Sequence, residues 1–172
     1  VKPNLFRKIQ IMLSDGLWLY MNKEKEIWSK WLPSLPIVAL NNTISGADRI
    51  ALYDVLTTKE FLKNKYRIPQ EKVIIFCARF ENTYRRVDLL LEVIQKLDPV
   101  EFAFIIIGGG KSKPDFSIYK NVYDFGSVYD EDLKRELFTI ADIYFQPGWV
   151  GLSIVEAMAY AKPICTFVRS FD

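Results

Sequence analysis

The fold is decided by residues 73–110, which read VIIFCARFENTYRRVDLLLEVIQKLDPVEFAFIIIGGG. This stretch begins with one apolar run, residues 73–78, and ends with a second, residues 102–107, before a run of glycines. Between them lie apolar residues at the spacing of one helical face: Val87, Leu90, Leu91, Ile94 and Leu97. Continuous rather than alternating apolar strands indicate a parallel sheet that is covered on both faces. The stretch therefore predicts a strand–helix–strand unit.

Shorter apolar runs continue this alternation of strands and helices. The other predicted strands are residues 37–40, 122–125, 143–145 and 164–168, and the other predicted helices are residues 57–66, a helix carrying Leu133, Leu137 and Ile140, and residues 152–160. Thr57 and Glu60 have the spacing of a capping box, so Thr57 is the expected N-cap. We therefore predict an α/β domain with a Rossmann-like, doubly wound and mostly parallel sheet.

The first 36 residues follow a different pattern. They begin irregularly and then predict a short strand and a helix capped by Asn22. Pro33 and Pro36 end that helix and indicate a linker. We therefore divide the chain into residues 1–36, the tail of a preceding domain with its linker, and residues 37–172, the α/β domain. This domain is expected to be truncated at its C-terminus, because the chain stops just after a strand-like run.

The composition excludes several classes of protein. Of 172 residues, 23 are basic and 21 acidic, and the resulting net charge of +2 gives no reason to expect nucleic acid as a partner. No apolar run is long enough for a transmembrane helix, and no signal peptide is visible. Cys77 and Cys165 lie in apolar runs and are expected to be buried thiols. Because the chain has no histidine, we predict no metal site, and an imidazole base must come from outside these residues.

Strand-to-helix loops are the candidate sites, because parallel α/β folds bind ligands at the carboxyl ends of their strands. In the first loop Arg79 directly follows a strand, and Arg85 and Arg86 begin the next helix. Guanidinium groups at a helix start suit a phosphate, although ordinary surface arginines explain the pattern equally well. The second loop, the glycines at residues 108–110, is more typical of a tight turn than of a ligand site.

The third loop, QPGWVGLS at residues 146–153, leads from a strand into a helix. The backbone amides of Gly151, Leu152 and Ser153 are expected to be unpaired donors, which suit an anion. Glu156 follows within about one turn, among apolar neighbours. A carboxylate in an apolar helix needs a hydroxyl or amide partner, so a purely structural role is the weaker interpretation of Glu156.

The third loop also resembles a known family. Residues 147–164, P-G-W-V-G-L-S-I-V-E-A-M-A-Y-A-K-P-I, are similar to the Glu-x7-Glu signature of glycosyltransferase family four, which is retaining and has the GT-B fold. Further segments resemble family motifs in the same order: V-I-I-F-C-A-R-F, Y-R-R-V-D-L-L-L, F-I-I-I-G-G-G, V-Y-D-F-G-S-V and I-A-D-I-Y-F-Q-P. The resemblance covers about residues 37–168. It implies the C-terminal, nucleotide-sugar-binding half of a GT-B glycosyltransferase.

The resemblance implies roles for individual residues. Glu156 would bind the ribose hydroxyls of the nucleotide. Arg79 and Arg85 would hold the diphosphate, together with the amides of residues 151–153. The loop that contains Ser127 would border the base. The resemblance assigns no catalytic residue to this chain, and it implies that no divalent metal is needed, because these cations act on the leaving diphosphate.

Some positions depart from the family pattern. Gly148 stands where the signature has its first Glu, which usually meets the donor sugar, so the sugar is left open. Arg86 replaces a usual glycine, and Arg85 and Arg86 could exchange roles. The family's N-terminal domain supplies acceptor contacts and a catalytic histidine, so that domain is an expected partner of this chain.

These observations predict a hexosyltransferase-type enzyme that moves a sugar from a nucleotide-sugar to a glycan, lipid-linked or polysaccharide acceptor with retention. This chain alone is expected to be inactive. The alternative is a non-catalytic Rossmann-like module that binds a nucleotide or a partner. The expected location is cytoplasmic. Peripheral contact with the inner membrane face stays open, although Phe6, Ile9, Trp18 and Trp28 are better explained by packing against the preceding domain.

Overall fold

The computed structural model describes residues 4–41, 58–81, 83–149 and 151–167, in two units, Val1–Ile44 and Ser45–Asp172. The helices are α1 (Leu5–Met12), α2 (Asn22–Trp31), α3 (Lys59–Lys65), α4 (Val87–Lys96), α5 (Glu131–Ile140) and α6 (Ser153–Ala159), with a 3-10 turn at Thr83–Arg85. The strands are β1 (Leu17–Leu19), β2 (Ile37–Ala39), β3 (Lys72–Cys77), β4 (Phe102–Ile107), β5 (Val122–Asp124), β6 (Ile143–Gln146) and β7 (Ile164–Thr166).

The first unit contains a small β-α-β arrangement. β1 and β2 pair in parallel, with Leu17 opposite Ile37, and α2 connects them. The strand predicted at residues 37–40 pairs with β1, in the first unit, although the predicted division placed it in the α/β domain. The domain boundary itself stays a prediction.

Two helix starts in this unit differ from the sequence-based expectation. The irregular first segment contains α1, which is capped by the Asn4 side chain through a 2.9 Å hydrogen bond from the Arg7 amide. Asn22 is the first residue of α2 rather than its N-cap, and the cap position, Met21, forms no side-chain bond.

The second unit contains a five-stranded sheet in the order β5-β4-β3-β6-β7, and every strand pair in it is parallel. The predicted α/β fold with a mostly parallel sheet is thereby confirmed. The chain adds β4 and β5 on one side of β3, and then crosses to the other side to form β6 and β7. The strand order therefore reverses between β3 and β6.

Alternate residues of β3 enter two cores, one on each face of the sheet. Val73 and Ile75 are fully buried in a core that α3, α5 and α6 cover. Ile74 and Phe76 enter a second core, which α4 covers. Burial on both faces explains why β3 is a continuous apolar run and not an alternating one.

Smaller expectations for this unit are corrected. α3 begins after Thr58, whose hydroxyl accepts a hydrogen bond from the Phe61 amide, and the expected cap, Thr57, lies outside the described residues. Cys165 is exposed, because β7 lies at the edge of the sheet, so its predicted burial is wrong. None of the helices within the described ranges is long and apolar enough to cross a membrane.

The start of α5 gives a test of helix capping. The Asp130 carboxylate accepts hydrogen bonds from the amides of Asp132 and Leu133, both at 2.9 Å. We expect Asp130→Ala to lower the free energy of unfolding by about 1 kcal/mol, because both amides lose their acceptor. Asp130→Asn keeps an acceptor oxygen and should lose much less. Urea unfolding followed by circular dichroism measures both, and equal losses would contradict the capping role.

Candidate functional site

The reversal of strand order brings two loops together. In open parallel α/β sheets, ligands bind at the carboxyl ends of the strands, where the order reverses. At that edge, the loop after β3 contacts the loop after β6. The Trp149 amide donates a 2.7 Å hydrogen bond to the Tyr84 carbonyl oxygen and ties the two loops together.

Gly148 is the point of closest approach between these loops. A Cβ atom here would lie 2.2 Å from the Tyr84 carbonyl oxygen and 2.5 Å from the Arg85 Cα. Both are backbone atoms of the 3-10 turn, so they cannot swing aside as a flexible side chain could. This chain therefore lacks the first acid of the signature and has no space for it, because any side chain at position 148 would require the 3-10 turn to move.

Arg85 reaches from the 3-10 turn into the loop after β6. Its Nη1 donates a hydrogen bond to the Trp149 carbonyl oxygen. Both of its terminal nitrogens lie 3.2 Å from the place that a Cβ of Gly151 would take, so Gly151 leaves room for the guanidinium. Among the described residues no carboxylate forms an ion pair with Arg85. Its positive charge is therefore available to an anion.

Arg86 is engaged differently. It caps α4 in the left-handed region, with a φ of 50°, and it binds Asp88 through two parallel bonds, Nε to Oδ1 at 2.9 Å and Nη2 to Oδ2 at 2.7 Å. The guanidinium carbon also lies 5.8 Å from the ring centre of Phe167. Of the two arginines whose roles could exchange, Arg85 is the one that the structure brings to the loop after β6.

Arg79 and Ser127 lie in loops at the same edge of the sheet, but neither contacts Arg85 within the described ranges. Arg79 is exposed and has no hydrogen bond or ion pair with a described residue. Ser127 lies over the glycine run, where its Oγ would be 2.5 Å from a Cβ at Gly109. The structure therefore shows no contact of Arg79 or Ser127 with another candidate residue within the described ranges. The roles assigned to them stay predictions.

The glycine run itself forms a close backbone contact. Gly108 and Gly110 both have a φ of 148°, and a Cβ at Gly108 would lie 1.9 Å from the Ala78 carbonyl oxygen. The Phe80 amide also donates a 2.9 Å hydrogen bond to the Gly109 carbonyl oxygen. These contacts favour the tight-turn interpretation, in which the run positions the loop that carries Arg79.

Glu156 is held by a lysine that sequence analysis missed. Lys134 Nζ lies 2.9 Å from Glu156 Oε1, and the two side chains are 24% and 19% exposed. Burial lowers the pKa of Lys134, but the hydrogen bond and charge of Glu156 outweigh burial and hold that pKa above its ordinary value. Oε2 has no hydrogen-bond partner among the described residues and can accept one from a ligand. Lys134 lies on α5 and Glu156 on α6, so no local pattern predicts the pair.

A buried network supports the start of α6. The Tyr144 hydroxyl lies 2.7 Å from Ser153 Oγ and 2.9 Å from Gln146 Oε1, and both Tyr144 and Gln146 are fully buried. Gln146 Nε2 in turn donates to the Trp149 carbonyl oxygen at 3.3 Å. Alternating residues of β6 thus reach both ends of the loop. Sequence analysis assigned neither residue a role, because Tyr144 lies in an apolar run and Gln146 is simply the first residue of the predicted loop.

The three backbone amides that the sequence indicated, at residues 151–153, lead into α6, and the side chain of Ser153 belongs to this network. The N–H groups of Gly151, Leu152 and Ser153 donate to no carbonyl oxygen of the described residues. The Gly151 carbonyl accepts instead from the Ile154 amide, at 3.1 Å. Unpaired N–H groups beside a guanidinium form an arrangement that suits a phosphate.

Several charges near this edge act on one partly buried thiol, Cys77. The pKa of Cys77 is raised to about 12, mainly by burial and in smaller part by the charge of Glu156, while the charges of Lys134 and Arg85 act in the opposite sense. Arg85 contacts the loop after β6 at Trp149, and Glu156 lies in α6, which follows that loop. The structure therefore brings Arg85 to the loop that leads into the helix of Glu156.

A comparison with protein families identifies the family of this chain. Residues 71–170 match the family model described as Glycosyl transferases group 1, which is more than half of the chain. The chain belongs to the group 1 glycosyl transferases. A comparison with curated protein sequences gave no match.

Solved structures agree with this membership. A glycosyltransferase from Rickettsia africae is 20% identical, with a TM-score of 0.61, over 95% of this chain and 48% of its own. A TarM variant from S. aureus, in complex with UDP, fondaparinux and alpha-GlcNAc-glycerol, is 19% identical, with a TM-score of 0.60, over 92% of this chain and 31% of its own. An E. coli trehalose-6-phosphate structure bound with UDP-2-fluoro glucose is 14% identical, with a TM-score of 0.54, over 88% of this chain and 45% of its own.

These likenesses establish the fold alone, which is that of GT-B glycosyltransferases. This group 1 glycosyl transferase chain spans about half of the first structure and less of the other two. The predicted relation to a GT-B enzyme is confirmed at this level. Assignment to family four and a retaining reaction stay predictions.

The contact at Gly148 gives a stability test for this transferase domain. We expect Gly148→Ala to lower the free energy of unfolding by about 3 kcal/mol, because the methyl group meets fixed backbone. Gly126→Ala is the control: no atom lies within 4 Å of its Cβ position, but its φ of 66° disfavours a side chain. That strain alone should cost about 1 kcal/mol. Urea unfolding compares the two, and a Gly148→Ala variant as stable as the control would contradict the tight contact.

The two thiols should differ in reactivity. With a pKa of about 12, Cys77 is a thiolate in only about one molecule in ten thousand at pH 8. Cys165 is exposed and should react freely with a disulfide reagent such as DTNB. We expect one fast thiol in the native chain, none in Cys165→Ser, and both after unfolding in guanidinium. Two fast thiols in the native wild type would contradict the burial of Cys77.

Proposed function

We propose that this chain is the donor-binding half of a glycosyltransferase that moves a sugar from a nucleoside diphosphate sugar to an acceptor. Membership of the group 1 glycosyl transferases and the GT-B fold support sugar transfer. The single observation that carries the donor class is Arg85, a guanidinium without a carboxylate partner among the described residues, fixed beside the unpaired amides of Gly151 to Ser153. This arrangement suits a diphosphate.

Each remaining part of the proposed donor has a candidate partner. Glu156, oriented by Lys134, offers Oε2 to the ribose hydroxyls. Arg79 adds a second cation at the same edge of the sheet, and the loop containing Ser127 borders the base. Two structural neighbours hold UDP or a UDP-sugar, which supports a nucleoside diphosphate without choosing the nucleotide for this chain.

The proposed contribution of this chain to the reaction is electrostatic. As the bond between the sugar and the diphosphate breaks, negative charge grows on the diphosphate oxygens. Arg85 is already held in place by the Trp149 carbonyl oxygen, so little reorganisation is needed to stabilise that charge. The new bond forms to an acceptor oxygen, whose proton leaves to a base, and an imidazole base would come from outside these residues, which include no histidine.

The finer assignments in this proposal rest on the signature-like run at residues 147–164. They are retention of configuration, a hexosyl donor, a glycan, lipid-linked or polysaccharide acceptor, and a diphosphate neutralised by cations of the chain instead of a divalent metal. We propose that this chain alone does not turn over, and that it works in the cytoplasm, with peripheral contact at the inner membrane face as an open alternative.

Calorimetry tests the proposed donor class. Titration of this chain with UDP, GDP and ADP should give heat with at least one of them, unchanged by EDTA. Arg85→Ala should weaken that binding about tenfold or more, equivalent to about 1.4 kcal/mol, because the diphosphate loses its fixed cation. Arg86→Ala is the matched control, since its guanidinium is engaged by Asp88, and it should stay within about twofold. Arg79→Ala should weaken binding by an intermediate factor.

Two results would count against the proposal. No heat with any of the three nucleotides at millimolar concentration contradicts a nucleotide site. Equal losses in Arg85→Ala and Arg86→Ala show a general charge effect and remove the assigned role of Arg85. Circular dichroism of each variant, compared with wild type, shows whether a loss reflects unfolding.

A non-catalytic nucleotide-binding or interaction module is the second candidate. Gly148 favours it, because the acid that usually meets the donor sugar is missing and cannot be accommodated. The two candidates differ in turnover and not in nucleotide affinity. Release of nucleoside diphosphate from a nucleotide-sugar, by this chain combined with a histidine-bearing N-terminal domain, supports the transferase. Tight nucleotide binding without such release supports the module.

A further inference from the structure

Two large aromatic rings are exposed together beside Arg85. The rings of Tyr84 and Trp149 lie 5.3 Å apart, centre to centre, at 45° to each other. Tyr84 is 58% exposed and Trp149 is 54% exposed. Aromatic rings of this size usually gain stability by burial, so a pair that stays more than half exposed beside the candidate site offers a surface to a ligand.

The pair is held by backbone contacts. The Trp149 amide donates to the Tyr84 carbonyl oxygen at 2.7 Å, and the Trp149 carbonyl oxygen accepts from both Arg85 Nη1 and Gln146 Nε2. Both rings therefore project from backbone that the Gly148 contact fixes. A platform fixed before a ligand arrives loses little entropy when the ligand binds.

The contacts of Trp149 place the ring pair beside the proposed diphosphate site. The Trp149 carbonyl oxygen accepts from Arg85, the cation proposed for the diphosphate, and Gly151 leaves room for the same guanidinium. Glu156, proposed for the ribose, lies in α6, which follows this loop. The sugar and the ribose of a donor lie at opposite ends of its diphosphate, so a sugar on the Trp149 side of Arg85 meets the Tyr84–Trp149 pair.

We propose that the Tyr84–Trp149 pair stacks on the sugar ring of the donor and replaces the acid that cannot stand at Gly148; this inference rests on the proposed function. The axial C–H groups of a sugar carry partial positive charge and suit the electron-rich face of an aromatic ring. Recognition of the sugar by an apolar face depends on which C–H groups point to one side. It depends less on a hydrogen bond to any single hydroxyl.

Calorimetry separates the sugar from the nucleotide. The probes are UDP with UDP-glucose, GDP with GDP-mannose and ADP with ADP-glucose, and the measured quantity is the ratio of Kd values within each pair. In wild type we expect the sugar to tighten binding about fivefold for at least one pair, which is the strength of one aromatic contact. In Trp149→Ala and Tyr84→Ala that ratio should fall to about one, while the Kd of the nucleoside diphosphate stays within about twofold. Trp149→Phe should keep part of the ratio.

Phe61→Ala is the matched control, because Phe61 is an aromatic residue with 63% exposure on α3. It should leave the ratio unchanged. A ratio of one in wild type, or a ratio unaffected by Trp149→Ala, overturns the sugar subsite and leaves the proposed nucleotide site intact. Equal weakening of nucleotide and nucleotide-sugar by Trp149→Ala also overturns it, because the ring then contacts the nucleotide. No binding of any nucleoside diphosphate overturns the proposed function, and the subsite with it.

Discussion

The approach of the Tyr84–Arg85 backbone to Gly148 is the contact on which the rest of the candidate site depends. It exists because the chain crosses from one side of β3 to the other between β5 and β6, so that loops distant in sequence follow neighbouring strands. A carbonyl oxygen 2.2 Å from the place of a Cβ leaves no room for any residue but glycine. This single contact sets the position of the 3-10 turn, and with it the direction of Arg85.

Positive charge at this edge is divided between arginines with different surroundings. Arg86 is neutralised by Asp88, whose pKa is lowered mainly by the hydrogen bond from that guanidinium. Arg85 has a carbonyl oxygen as its partner, which orients the group without cancelling its charge. Two adjacent residues of one type thus have different partners, because one lies in the 3-10 turn and the other is the left-handed cap of α4.

The buried polar groups of β6 hold the loop after it in place without leaving a polar atom of theirs unpaired. Tyr144 and Gln146 are fully buried, but each has hydrogen-bond partners, so their burial adds order without an unpaired polar atom. Burial also raises the pKa of the Tyr144 hydroxyl well above its ordinary range, so it remains a neutral donor to its neighbours. Lys134, which lies on another helix, holds the Glu156 carboxylate in place through the 2.9 Å hydrogen bond from its Nζ to Oε1.

The sequence by itself determined the class of fold and the relation to GT-B glycosyltransferases, because continuous apolar strands and the run at residues 147–164 are local patterns. It also indicated Arg85 and Glu156, since Arg85 lies in a strand-to-helix loop and Glu156 in the first turn of the helix after another such loop. It could not show which of Arg85 and Arg86 reaches the loop after β6, or that β2 pairs with β1. It also could not show that Cys165 is exposed, or that Lys134 contacts Glu156. These depend on which strands pair and which loops meet, and the sequence separations involved reach 64 residues for Arg85 and Trp149. Only the tertiary structure decided that Gly148 is a contact with backbone and not merely a missing acid.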